Sequence, residues 1–171
     1  MAMNSTLRDC LVKDTIVNST FTISGGFVGI AMNACLQNCY YLGNSGDPNA
    51  ITVQASYCAG GLIGKCSRCS ASQCGVENGQ IFVSNSSAGG IIGEITGISN
   101  FSEIYLTSNV TVLGVNASTY VGGMIGILYG NTETVCMSNS YSQANVRGAL
   151  KSGALFGCVA NSVNLEISNG L

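Results

Sequence analysis

The chain has no histidine and no tryptophan, a single proline, and charged residues at only 8% of its 171 positions. Without imidazole there is no Ser-His or Cys-His nucleophile, no imidazole base and no histidine-held metal, which removes most hydrolytic mechanisms. A charged fraction so far below the roughly 25% of an ordinary soluble domain leaves few groups to cover the surface. The six cations, Arg8, Lys13, Lys65, Arg68, Arg147 and Lys151, are scattered among eight carboxylates. No basic stripe exists to release counterions from a phosphate backbone, so nucleic acid is not expected as a partner. Only Asp9 and Asp14 of the carboxylates lie close together in sequence, against the clustered acids a polysaccharide-cleaving enzyme needs. Glycine, serine and asparagine interrupt every apolar stretch before it reaches the ~18 residues of a membrane-spanning helix, and no such helix is expected.

What the chain does have is glycine in a repeating string. Gly25-Gly26-Phe27-Val28-Gly29 recurs as Gly60-Gly61-Leu62-Ile63-Gly64, Gly89-Gly90-Ile91-Ile92-Gly93, Gly122-Gly123-Met124-Ile125-Gly126 and, with one change, Gly153-Ala154-Leu155-Phe156-Gly157. The starts are 35, 29, 33 and 31 residues apart (60−25, 89−60, 122−89, 153−122). Glycine doublets and β-branched neighbours argue against helices at this period. Short β-prone runs such as Ile51-Thr52-Val53, Ile81-Phe82-Val83 and Val110-Thr111-Val112-Leu113 lie between the motifs, separated by turn residues. Each unit therefore reads as two or three strands with tight corners. A unit of this size cannot bury its apolar face alone, so the units must stack strand on strand.

The expected fold is all-β, a parallel β-helix or β-solenoid of about five to six coils with roughly 30 residues in each. Residues 1–171 form one such repeat domain, read as a fragment of a longer polypeptide because the residues before Gly25 look like the tail of a preceding unit. Equivalent positions then make ladders. Phe27, Leu62, Ile91, Met124 and Leu155 form the expected core stripe, each side chain contributing about 1.5–3 kcal/mol when buried. The next ladder, Val28, Ile63, Ile92, Ile125 and Phe156, is also apolar, although adjacent residues of a straight strand face opposite ways. Either the chain bends there, or one ladder lies outside as a hydrophobic stripe. The glycines mark either a positive-φ corner or a place where backbones come too close for a Cβ.

The Gly-Gly-Leu-Ile-Gly core, together with Asn38-Cys39-Tyr40-Tyr41-Leu42-Gly43-Asn44 and Asn139-Ser140-Tyr141-Ser142-Gln143-Ala144-Asn145-Val146, resembles the GLUG motif repeat from about Ile23 onward. The resemblance implies a passenger or stalk-like region of a secreted or cell-surface, adhesin-like protein, with no catalytic residues of its own. Two units depart from the pattern, with Gln73-Cys74-Gly75 and Ser102-Glu103-Ile104 where Asn-Cys-Tyr is expected.

Nine cysteines, Cys10, Cys35, Cys39, Cys58, Cys66, Cys69, Cys74, Cys136 and Cys158, cannot all pair within the chain. Counted from the motif starts, Cys39, Cys74 and Cys136 share offset 14 (39−25, 74−60, 136−122), a ladder that a longer turn in the fourth unit would break by putting Ser140 in place of Cys136. Small buried hydrophobes, disulfides at the corners, a metal site and a redox pair all remain open for these thiols. Cys66-x-x-Cys69 with Cys74, and Cys58 nearby, would supply the thiolates of a tetrahedral zinc site, and Lys65 and Arg68 flank the pair as cations that lower a thiol pKa. Lys65 and Glu94 hold equivalent places after successive motifs and should meet as a surface ion pair of at most about 1 kcal/mol.

The leading expectation is a non-catalytic structural or adhesin-like domain with no cofactor. It acts as a spacer, or as a flat platform for a surface protein or a glycan, beside flanking repeats of the same polypeptide. A cysteine-based metal or redox module is the alternative, and a polysaccharide-active enzyme comes third. Six sequons, at Asn4, Asn18, Asn85, Asn100, Asn109 and Asn116, agree with an extracellular or cell-surface location.

Overall fold

The computed structural model describes residues 1–44, 46–47, 50–117, 119–130, 133–148, 151–160 and 163–169. It is a parallel β-solenoid whose strands form four sheets running the length of the rod. No helix among the described residues is long and apolar enough to cross a membrane.

Each full coil visits the four sheets in turn, so the units contain four strands, or five where the third-sheet strand is broken, and not two or three. The first sheet holds the strands that lead into the motif: Ile23–Gly25, Cys58–Gly60, Ser87–Gly89, Tyr120–Gly122 and Lys151–Gly153. The second holds the strands that leave it: Ala2–Met3, Val28–Met32, Ile63–Ser67, Ile92–Thr96, Ile125–Tyr129 and Phe156–Val159. The broad third sheet contains Thr6–Arg8, Leu11–Lys13, Cys35–Gln37, Tyr40–Leu42, Ser70–Glu77, Ser99–Leu106, Thr134–Ser138, Tyr141–Ser142 and Asn164–Ser168. The fourth closes the coil with Val17–Ser19, Ile51–Ala55, Gly79–Val83, Val110–Gly114 and Asn145–Arg147. Residues before Gly25 do supply strands of a preceding coil, in the second, third and fourth sheets.

The motif sets the register of the whole stack. Gly25, Gly60, Gly89, Gly122 and Gly153 pair in sequence, as do Val28, Ile63, Ile92, Ile125 and Phe156. Both apolar ladders point inward. Leu62, Ile91 and Met124 of one ladder and Val28, Ile63, Ile92 and Ile125 of the other are buried, because the chain turns between the first and second sheets at the glycine doublet. Phe27, Leu155 and Phe156, in the outer coils, are half-buried and pack on the same core.

Close approach, not positive φ, is what requires glycine at this corner, since among the described residues the only glycines with positive φ are Gly79 and Gly97. A Cβ on Gly90 would run into the Gly123 carbonyl of the next coil and the Leu106 side chain, and one on Gly89 would lie 2.7 Å from the Gly126 nitrogen. The fifth motif carries Ala154 where the others carry the second glycine. Its carbonyl is what a Cβ on Gly123 would meet, and Ala154 itself is exposed.

Candidate functional site

A second kind of corner lies in the middle of the third sheet. Asp9, Asn38, Gln73, Glu103 and Asn139 each adopt positive φ, between 49° and 55°, and bend the strand in every coil. The residue after each one turns inward and, where it carries S–H or O–H, donates to the carbonyl two positions back. Cys10, Cys39 and Cys74 do so at 3.1, 3.3 and 3.1 Å, and Ser140 at 2.7 Å. This assigns the column Cys10, Cys39, Cys74, Ile104, Ser140, fixed by the pairings of Leu11 with Tyr40, Tyr40 with Gly75, Gly75 with Tyr105 and Tyr105 with Tyr141. Cys136 is therefore not in the ladder. It pairs with Asn100 and Glu166 on the outer face, because the fourth unit has a longer turn. Cys10 belongs to the column although no motif precedes it, and the Asp-Cys order after Arg8 was the available signal.

The third residue of each bend lies on the outer face, and at three of the five bends it is a tyrosine, Tyr40, Tyr105 and Tyr141, with Leu11 and Gly75 at the other two. Tyr40 and Tyr105 have ring centroids 6.0 Å apart, and Tyr105 and Tyr141 stack at 5.9 Å. Gly75 makes this possible, since a Cβ there would lie 2.6 Å from Tyr105 Cε1, so the Tyr105 ring lies over it and reaches Tyr40. The Tyr105 hydroxyl donates to Glu77 Oε1 at 2.8 Å, and burial followed by this carboxylate pushes its pKa up. Alongside runs a column of small polar groups: Gln37, Ser72, Ser102, Ser138 and Ser168 pair coil to coil. The outer face of the third sheet is thus a ruled surface of ring edges and hydroxyls.

A polar seam lies outside the main core where the first and second sheets face each other beside the glycine corner. Lys65 Nζ lies 2.6 Å from Glu94 Oε1, and the Cys58 thiol bonds Glu94 Oε2 at 3.3 Å and the Ser87 hydroxyl at 3.0 Å. The expected neighbour relation of Lys65 and Glu94 holds, but the surface setting does not: the Glu94 side chain is only 5% exposed, because the two sheets close over it. The bond to Glu94 raises the Lys65 pKa, and burial pushes the Cys58 thiol up to about 12. The thiol is a protonated donor to the carboxylate, not a nucleophile.

All nine cysteines are free. Cys66 and Cys69 are buried in the core, the Cys66 thiol against the Ser99 hydroxyl at 3.8 Å and the Cys69 thiol donating to the Ser67 carbonyl at 3.4 Å, and the neighbouring Cys66 lowers the Cys69 pKa. Cys74 lies instead against Cys39 in the bend column. The trio Cys66, Cys69, Cys74 is thus split, and no group of three or more metal-ligating side chains is gathered among the described residues. A depression of about 300 Å³ near the C-terminal end is lined by Ala144, Val146, Ser152, Gly153 and Ala154, none of them titratable.

Compared with protein-family models, with curated proteins and with solved structures, the chain matches none of them.

Proposed function

We propose that this solenoid is a non-catalytic scaffold of a secreted or cell-surface, GLUG-like protein, presenting the outer face of its third sheet to a protein or glycan partner. The observation that carries the reading is the tyrosine column Tyr40, Tyr105, Tyr141 beside the serine column, held in register by parallel pairing. Tyrosine brings contact area at little rotamer cost, and rings already packed side by side in a column lose little more on binding. The Tyr105 and Tyr141 rings turn a face toward each other, so a partner meets ring edges, hydroxyls, the outer Tyr141 ring and the serine row. That favours hydrogen-bonding over a flat area.

The test is binding of wild-type protein and of a Tyr105→Ala, Tyr141→Ala double variant to a glycan array and to purified candidate surface proteins. A loss of tenfold or more in the variant supports the face. Binding untouched by the variant places the contact elsewhere on the rod.

A second reading, a cysteine-based metal or redox module, is supported by the placement of Cys66 and Cys69 as buried neighbours whose titrations influence one another. Cobalt binding with thiolate charge-transfer absorption, lost in Cys69→Ser, tests it.

A further inference from the structure

We propose that Asn100 is an N-linked glycan attachment site whose glycan covers the outer face of the third sheet, so that the modification sets whether that face is open to a partner. This assignment rests on the surface location and the binding face read above. Asn100-Phe101-Ser102 is one of the six sequons, and the strand Ser99–Leu106 that carries it begins with alternating buried and outward positions. Residues two apart on a strand share a face. Asn100 is exposed, the required hydroxyl of Ser102 stands on the same side, and Phe101 between them is turned into the core. A sugar on this amide points to solvent and leaves the core packing untouched.

The six sequon asparagines are all exposed, but the stack uses them differently. Asn109 Nδ2 donates to Asn78 Oδ1 and Asn116 Nδ2 to Asn85 Oδ1, each at 3.1 Å and each from coil to coil, and Asn85 Nδ2 donates to Ser84 Oγ at 3.3 Å. Asn4 Oδ1 accepts from Asn33. Among the described residues, the Asn100 and Asn18 side chains make no such bond, so a sugar on either amide breaks no tie between coils. Asn18 lies in the fourth sheet, paired with Gln54, and the other four lie between strands. Asn100 is the sequon on the third-sheet face.

Its neighbours one coil away are Ser70 and Cys136, at the coil spacing of about 4.8 Å. Ser102, in the serine column, is about 7 Å along the strand. A branched oligosaccharide rooted at Asn100 overlies that column and extends toward Tyr105. It also brings hydration to a chain with only 8% charged residues. In the transfer, Asn100 Nδ2 attacks the anomeric carbon of a lipid-diphosphate-linked oligosaccharide. The C–N bond forms as the C–O bond breaks, one amide proton passes to a base on the transferring enzyme, and the lipid diphosphate leaves with the electron pair.

The chain is recovered from its source cells and treated with a peptide-N-glycosidase in heavy-oxygen water, which converts each glycosylated asparagine to labelled aspartate for peptide mass mapping. Most copies should carry the label at Asn100. Cover is read without any partner, from the rate at which a bulky maleimide labels Cys136, the half-buried neighbour on the outer face. Glycosylated wild type should react there at least tenfold more slowly than the deglycosylated chain or N100Q. N18Q should match wild type, and Cys158 in the second sheet should react alike in all forms. A cell-surface chain with bare Asn100 overturns the proposal and leaves the open binding face standing. Equal Cys136 rates with and without the glycan overturn the cover. A chain held in the cytosol overturns both this assignment and the surface reading.

Discussion

Two of the turns in each coil, the glycine corner and the mid-sheet bend, obey different rules. At the glycine corner, backbone approaches backbone, and no neighbouring side chain can move aside to admit a Cβ. At the mid-sheet bend the demand is only a positive φ, met by Asp, Asn, Gln and Glu in turn. Such a conformation costs an ordinary L-residue about 1–2 kcal/mol, and side-chain hydrogen bonds such as that from Asn38 Nδ2 to Asp9 Oδ1, 2.7 Å, help to offset it. The first corner fixes residue identity, and the second fixes only a conformation.

The largest expected effect breaks the first rule. Gly90→Val, driven into the Gly123 carbonyl and Leu106, should cost about 3 kcal/mol or more. A substitution at exposed Asn85, which accepts a 3.1 Å bond from Asn116, should stay within about 0.5 kcal/mol. Equal melting temperatures for the two would refute the close-approach account.

Next comes the seam beside that corner. Lys65→Met leaves the Glu94 carboxylate buried without its cation, at a cost of about 2 kcal/mol. That is less than the 3–5 kcal/mol of a fully enclosed pair, because the Lys65 side chain is 36% exposed. Urea melts read the loss, and a double-mutant cycle with Glu94→Gln should recover part of it.

Alkali tests the buried thiols of both regions together. Cys58 in the seam and Cys74 in the bend column have pKa values raised by burial from 9.0 to about 12. Their contribution is fully present below pH 9 and is lost as pH rises toward 12, because the unfolded chain gives up these protons first. The midpoint of thermal unfolding should fall through that window and fall less in a Cys58→Ser, Cys74→Ser variant.

The smallest effect sharpens the second rule. Gln73 sits at φ 54°, so Gln73→Gly should stabilise by about 0.5–1 kcal/mol, whereas Gly→Ala at the motif corner destabilises. Differential scanning calorimetry on the pair separates a φ constraint from a contact constraint.

The same distinction explains what could be read from the sequence. The glycine corner was legible as a string, and with it the register, the first inner ladder and the pairing of Lys65 with Glu94, whereas the inward turn of the second ladder was not, because it depends on the bend at the doublet. The bend column was legible only in part, since its residue types vary. Its distance from the motif also changes, from 14 residues at Cys39 and Cys74 to 15 at Ile104 and 18 at Ser140 (39−25, 74−60, 104−89, 140−122). An ungapped count therefore chose Cys136. The burial of Glu94 was hidden because it depends on two sheets folding against each other outside the core, which no single strand's pattern records.

Hydrogen bonds that run from coil to coil give the rod an unusual response to load. Pulled apart by its two ends, it yields the outermost coil first, strand by strand, while the coils behind keep every bond. A coil of about 31 residues pays out about 100 Å of extended chain in exchange for about 5 Å of rod. The stack would act as a stepwise tether, lengthening some twentyfold under tension and rewinding against its own exposed edge as a template.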